Sequence, residues 1–280
     1  MKGFKISLAG DLGSGKSTVG KILARELGAE VYSTGTIQRQ IATEMGMTTL
    51  QLNQYMETHT EIDGKIDDGL RALENSEKDL IIDSRMAWHF VPSSFSVYMA
   101  AEPRVSAERI MKADRASEPF ASIEEAVNSI AERRKSEMFR YSNLYGVNIK
   151  DLENYDYVVD TSFIPPETVA EHILAHFRKN RAGEQFARYE LCPARLLPCG
   201  EEEGEPAFFE CGGAYFIARG AEQIARAIQG GAPLVACVQA EGYGEEFAKQ
   251  NCTDEKIAAW ERKTGIKLVG RPAFLHDGSL

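Results

Sequence analysis

The sequence predicts an α/β chain in two parts: a parallel sheet with helices on both faces, then a smaller α+β domain. Three observations carry this. Short apolar runs alternate with helical periods up to about Lys179; a glycine-rich turn joins the first run to the first helix; and the pattern changes after Asn180, with all five cysteines in the last hundred residues. At roughly 150 residues per domain, a chain of 280 residues holds about two. The expected division is 1–179 and 181–280, and the first part is expected to fold without the second.

The strands are expected at 5–9, 30–32, Leu80–Asp83, Phe95–Ala100 and Tyr157–Asp160, each a short apolar run bounded by polar or turn residues. Between them, Val19, Ile22, Leu23 and Leu27 share one face of a helix over Lys16–Leu27. Ser122 and Glu125 stand in capping-box spacing at the head of a helix over 122–141. A last helix over 165–177 turns Val169, Ile173, Leu174 and Phe177 toward the sheet. In the tail, "AFFECGGAYFIARGAEQIARAIQGGAPLVACVQA" reads as strand, turn, strand, helix, strand.

With 32 basic against 42 acidic residues the net charge is −10, which argues against broad electrostatic binding to nucleic acid or to an anionic membrane. No run approaches the ~18 apolar residues of a membrane span, and the start carries no secretory pattern, so a cytoplasmic protein is expected. None of the cysteines (Cys192, Cys199, Cys211, Cys237, Cys252) forms a C-x-x-C pair, so packed reduced thiols are expected rather than a metal ribbon. His172 and His176, four apart without an intervening H-E-x-x-H glutamate, are read as exposed helix polar residues.

The first strand leads into Gly10-Asp11-Leu12-Gly13-Ser14-Gly15-Lys16-Ser17-Thr18, a complete G-x-x-x-x-G-K-S/T before a helix. Glycines let successive N–H groups turn inward onto phosphate oxygens, and the helix N-terminus adds partial positive charge. Lys16 reaches the β- and γ-phosphates, and the Ser17 hydroxyl suits Mg²⁺. A nucleoside triphosphate is therefore expected here. Asp83, ending the third strand, is the candidate acid beside the metal.

A phosphate loop alone does not choose between kinase, GTPase and motor. No N-K-x-D guanine motif is present, and 180 residues leave no room for a motor core, which favours a small-molecule kinase. Such an enzyme needs a second cationic site facing the γ-phosphate and a closing lid. Arg39, in "STGTIQRQ" after the second strand, and Arg85, after the third, stand at the carboxyl ends of parallel strands, where ligands bind. Together they form a candidate bidentate clamp for an acceptor phosphate. Arg133, Glu137 and Arg140 share one face of the later helix, with Arg134 off it.

The segments "AGDLGSGKST", "YSTGTIQRQIATEMGM", "IIDSRMAW", "RRKSEMFRYSNLYGVNI" and "YDYVVDTS" occur in this order, and residues 1 to about 178 resemble the cytidylate kinase family, in its short archaeal-type branch. The resemblance implies a nucleoside-monophosphate-kinase fold that transfers the γ-phosphoryl group of ATP to CMP or dCMP. It implies that Arg39 and Arg85 bind the acceptor phosphate and that the lid arginines are Arg133 and Arg140. Recognition of the base falls to the helical insert at 48–73, which offers His59, Asp63, Asp67, Asp68 and Arg71. An acid there is apt for the cytosine amino group, but the sequence does not select one.

Residues 181–280 resemble the ParB/sulfiredoxin-like fold. That family places Gly-Glu-Arg-Arg or Gly-His-His-Arg at the head of a helix, whereas Gly220-Ala221-Glu222-Gln223 has neither arginine nor histidine. An accessory domain follows, regulatory or dimerising, with a homodimer as the expected assembly. The competing reading is a nucleotide sensor that moves this domain without turnover; it needs the phosphate loop but not Arg39, Arg85 and a lid.

Overall fold

The computed structural model describes residues 3–113 and 120–275. The chain divides into two compact units, Met1–Tyr157 with Ile164–Gln185, and Val158–Phe163 with Phe186–Leu280. Among the described residues no helix is long and apolar enough to cross a membrane.

In the first unit, β1 (Lys5–Gly10) runs into α1 (Lys16–Leu27). β2 (Glu30–Ser33), α2 (Thr34–Glu44), α3 (Thr49–Met56) and α4 (Glu61–Leu73) lead to β3 (Leu80–Asp83), and α5 (Ala87–Phe90), β4 (Phe95–Ala100), α6 (Pro103–Lys112) and α7 (Ile123–Tyr145) follow. The strand order is β2-β3-β1-β4, all parallel. Every residue of β1, β3 and β4 is buried, and because successive side chains alternate between faces, both faces are covered. Helices α1 and α5 supply part of that cover. Register does the rest of the positioning: Leu8 and Ser33 both lie opposite Asp83, so the ends of β1, β2 and β3 meet at one place.

The expected head of the long helix is present with a shift. Ser122 Oγ accepts from the Glu125 N–H at 3.1 Å, while Glu125 reaches back to the N–H of Ala121 at 2.7 Å, one residue before the capping-box position. After α7 come β5 (Tyr157–Asp160) and α8 (Pro166–Ala182), the latter packed on α1 in the first unit.

From Val158, β5 lies with the second unit, although the sequence placed it in the first. It pairs parallel with β6 (Tyr189–Leu191), Val158 opposite Tyr189. The remaining elements are β7 (Leu196–Pro198), β8 (Ala207–Cys211), β9 (Ala214–Arg219), α9 (Ala221–Gln229), β10 (Val235–Gln239), α10 (Glu245–Asn251) and α11 (Asp254–Thr264). The order β5-β6-β10-β8-β9-β7 mixes parallel and antiparallel pairs. The expected strand, turn, strand, helix and strand are β8, the Gly212-Gly213 turn, β9, α9 and β10. β6 and β7, three residues each, are too short to register as apolar runs.

At the head of α9 the N–H groups of Gly220, Ala221 and Glu222 donate to the carbonyls of Glu203, Glu201 and Glu202 at 2.9, 3.2 and 2.9 Å. The acidic loop thus occupies the donors that a phosphate would use. The described cysteines are unbridged, and burial pushes Cys192 and Cys237 up to about 12.

The second unit closes on a buried ion pair. Asp160 is fully buried; its Oδ2 accepts from Arg195 Nη1 at 2.8 Å, its Oδ1 from the Ser162 N–H at 2.9 Å, and the Arg195 guanidinium lies 4.6 Å over the Tyr215 ring. Removing one partner leaves the other charge buried and alone. Arg195→Met is therefore expected to cost about 3–5 kcal/mol in chemical denaturation, and a loss under about 1 kcal/mol would show that Asp160 does not depend on Arg195. A chain ending at Lys179 loses both β6 and Arg195, and by the same reasoning is expected to unfold more readily than the full chain.

Candidate active site

The phosphate loop begins where β1 ends. Gly10 has φ 135°, and a Cβ there would lie 2.2 Å from the Met99 carbonyl oxygen, so a side chain would force β4 away. Gly15, at φ 89°, caps α1 in the left-handed region and turns the loop into the helix. Lys16 folds back over the loop, donating to the carbonyls of Gly10 and Asp11 at 3.1 and 2.6 Å and to Ser14 Oγ at 3.3 Å. Burial first, and Arg85 second, lower its pKa to about 8, against the pull of Asp83, Asp11 and Glu137.

Asp83 accepts from Ser17 Oγ at 3.0 Å and from Ser33 Oγ at 3.3 Å, both on Oδ2. A hydroxyl and a carboxylate side by side next to the loop are the hard oxygen donors that Mg²⁺ takes, with phosphate oxygens and water completing its shell. Among the described residues no group of three or more His, Cys, Asp and Glu side chains could hold a metal by itself. His176, expected to be exposed, is buried, because its ring stacks on Tyr157 at 4.0 Å, with Nδ1 2.8 Å from the His172 carbonyl.

Lys16, Ser17, Arg39, Asp83, Arg85 and Arg133 line one cleft. Arg39 Nη2 donates to Thr36 Oγ1 at 3.1 Å, which holds it along α2. Arg85 Nε pairs with Glu137 Oε2 at 2.8 Å, and Arg133 Nε with Glu137 Oε1 at 3.1 Å, so one carboxylate bridges two of the three cleft arginines. Burial alone would raise the Glu137 pKa, but Arg85, Arg133 and Arg140 outweigh it and hold the group below the usual carboxylate range. A larger cavity of about 610 Å³ shares Leu12 and Arg133 with the cleft; its other walls mix apolar side chains (Leu50, Ile110, Phe120, Ile130) with polar and acidic ones, Glu125 and Glu132 among them, and add no further cation.

Arg140 is set apart from the cleft, facing the insert. Its Nη1 donates to Asn53 O and Oδ1 at 3.2 and 3.1 Å, and its Nε faces Asp63 Oδ2 at 3.1 Å. Those last two atoms lack hydrogen-bond geometry and have no hydrogen-bond partner among the described residues. Asp63 and Asp67 are buried on α4, whereas Asp68 is exposed and pairs with Arg71 at 3.0 Å. Asp67 accepts from Tyr145 Oη. Burial raises Asp63 to about 6 in spite of Arg140.

Residues 5–163 match the cytidylate kinase-like family. The chain belongs to this family. Among its relatives, a cytidylate kinase of Thermoplasma volcanium is 36% identical over 197 residues, 69% of this chain and 98% of that one. A cytidylate kinase of Sulfolobus acidocaldarius is 39% identical over 179 residues, 63% of this chain and 96% of that one. An S-adenosylmethionine-dependent nucleotide dehydratase of Lacinutrix mariniflava is 34% identical over 201 residues, 70% of this chain but only 41% of that longer protein.

Sequence reasoning on this member of the cytidylate kinase-like family missed three side chains. Glu137 was seen on the arginine face but not as the anion that joins Arg85 to Arg133. Asn53 carried no signal, because an asparagine inside a helix is ordinary. Asp11 was read as one of the nucleotide-binding residues of the phosphate loop, with no separate role for its side chain, yet its carboxylate is buried and bound by four groups.

Lys16→Met is expected to lower kcat by about 10³ or more while leaving the thermal midpoint equal or higher, since the charge that it removes is already disfavoured by burial. Wild-type ATP affinity, titrated by calorimetry, should fall as pH rises through about 8, where Lys16 loses its proton. A flat profile from pH 7 to 9 would show that Lys16 does not titrate there.

Proposed function

We propose that the chain transfers the γ-phosphoryl group of ATP to a nucleoside monophosphate, with CMP or dCMP as acceptor. The observation that carries the reading is the second cationic site: Arg39, Arg85 and Arg133 line the same cleft as Lys16 and Ser17. A nucleotide sensor has no use for three arginines opposite its phosphate loop. The family match and the cytidylate kinase relatives support the same reading.

The residues act by positioning and charge neutralisation, with no covalent intermediate. The loop N–H groups hold the donor phosphates, and Lys16 leaves the carbonyls of Gly10 and Asp11 to follow the transferring group. Arg39 and Arg85 orient the acceptor phosphate for in-line attack, and Arg133 adds charge from the lid side. Glu137 yields its two arginines to the incoming phosphate, so the cleft stays neutralised throughout. Ser17 and Asp83 would hold Mg²⁺, which neutralises charge on the donor phosphates.

Base selection is assigned to α3, α4 and α7. Asp63 Oδ2 is a buried acceptor without a hydrogen bond, suited to the exocyclic amino group of cytosine. Uracil presents a carbonyl at that place and would leave Asp63 facing an acceptor. The dehydratase belongs to a protein of which this chain spans less than half, and its chemistry is not carried over.

The direct test is a coupled assay of ADP release with each nucleoside monophosphate in turn. Turnover with CMP or dCMP well above the others is expected; acceptor-independent hydrolysis, or none, would favour the sensor. Arg85→Ala should raise the acceptor KM and lower kcat while calorimetry finds ATP affinity nearly intact; equal loss of ATP binding would move Arg85 to the donor side. For CMP, KM should rise as pH falls below about 6, where Asp63 gains a proton and ceases to be an acceptor. Asp63→Asn should abolish that pH dependence.

A further inference from the structure

Asp11 is the second residue of the phosphate loop, and its side chain turns away from the cleft into protein. It is 5% exposed. Oδ1 accepts from Tyr98 Oη at 2.6 Å, from Arg134 Nη2 at 2.8 Å and from Lys150 Nζ at 3.1 Å, and Oδ2 accepts from the Ala101 N–H at 3.0 Å. Lys150 also donates to Tyr98 Oη at 2.9 Å. Four segments therefore meet on one carboxylate: the end of β4, the residue after it, α7, and the turn that leaves α7.

The choice of partners on α7 is informative. Arg133 and Arg134 are neighbours, about 100° apart around the helix. Arg133 lines the phosphate cleft, while Arg134 reaches the Asp11 carboxylate in a small adjoining pocket, so α7 presents one arginine to each. The backbone of the same Asp11 accepts Lys16 Nζ at 2.6 Å. A charged side chain anchoring the helix and a main-chain oxygen holding the catalytic lysine belong to one residue.

We propose that Asp11 is a positioning residue, whose carboxylate docks α7 and the following turn on the back of the phosphate loop through Arg134 and Lys150, and thereby fixes Arg133 over the transferring phosphoryl group. The consequence for turnover rests on the phosphotransfer reading above; the docking itself does not. Asp11 acts through Arg134 and touches no substrate.

Asp11→Asn keeps the shape and one acceptor oxygen but removes the charge. Hydrogen exchange of the full-length protein should then show the amides of residues 133–141 exchanging about ten-fold faster, with β1, β3 and β4 unchanged. In the same variant kcat should fall about ten- to a hundred-fold, as a misplaced catalytic group predicts. ATP affinity should stay level or tighten, because the variant removes one negative charge next to the loop that binds the polyphosphate; a merely structural defect would weaken it in step with kcat. Arg134→Gln should reproduce the loss in exchange protection and kcat, and the double variant should be no worse than either single one. Unchanged α7 exchange in Arg134→Gln, or losses that add in the double variant, would overturn the proposal. Should Asp11→Asn not fold, Arg134→Gln decides the matter alone through the same two measurements. Wild-type protein that phosphorylates no nucleoside monophosphate would sink the proposed function, while α7 exchange would still decide the docking.

Discussion

Like charges gathered in one place repel, and this protein gathers them around a single loop: Lys16, Arg39, Arg85 and Arg133 in the cleft, Arg134 and Lys150 behind it. Two buried carboxylates let them stay. Glu137 joins Arg85 to Arg133 and Asp11 joins Arg134 to Lys150, each held ionised by its cations against the cost of burial. The rest of the site depends on this balance. Without it, α7 would be repelled from the loop with which Arg134 pairs.

The sheet supplies the complementary constraint. Parallel strands in register bring β1, β2 and β3 together with Leu8, Asp83 and Ser33 side by side, two residues before the phosphate loop begins at Gly10. That places the phosphate loop, the head of α2 and the Asp83 carboxylate along one cleft, and Arg39 and Arg85 follow from the segments directly after β2 and β3. A platform whose strands β1, β3 and β4 are wholly buried holds these charged groups, and Arg39 and Arg85 sit on the segments that leave it.

The second unit shows the same use of buried charge for assembly. Asp160 ends a strand whose sequence reads like the strands of the first unit, but its cation, Arg195, comes from a segment 35 residues later. A strand that looks like the close of one domain is thus tied to the next. Helix α9, by contrast, has its leading N–H groups bound to the acidic loop before it, which leaves that end of the fold with shape but without an anion site.

Much was legible in the residues alone, for a local reason. The phosphate loop is a contiguous string whose glycines, lysine and serine do their work within nine residues, so spacing reports geometry directly. Arg39 and Arg85 were readable because strand ends in a parallel sheet point to one edge. Periodicity likewise marked α1 and α8, capping-box spacing marked the head of α7, and the order of strands and helices marked an α/β fold. What the sequence could not determine are pairings between distant segments. Glu137 with Arg85, Asp11 with Arg134 and Lys150, Arg140 with Asp63 and Asn53, and Asp160 with Arg195 are separated by 35 or more residues and look like ordinary surface charges until the chain is folded. Arg140 is the clearest case, since its spacing puts it on the face of Arg133 while the packing of α3 against α7 and the pairing with Asp63 turn it to the insert. Whether a carboxylate is buried, and which cation meets it there, depends on tertiary packing; the sequence states only that the charge exists.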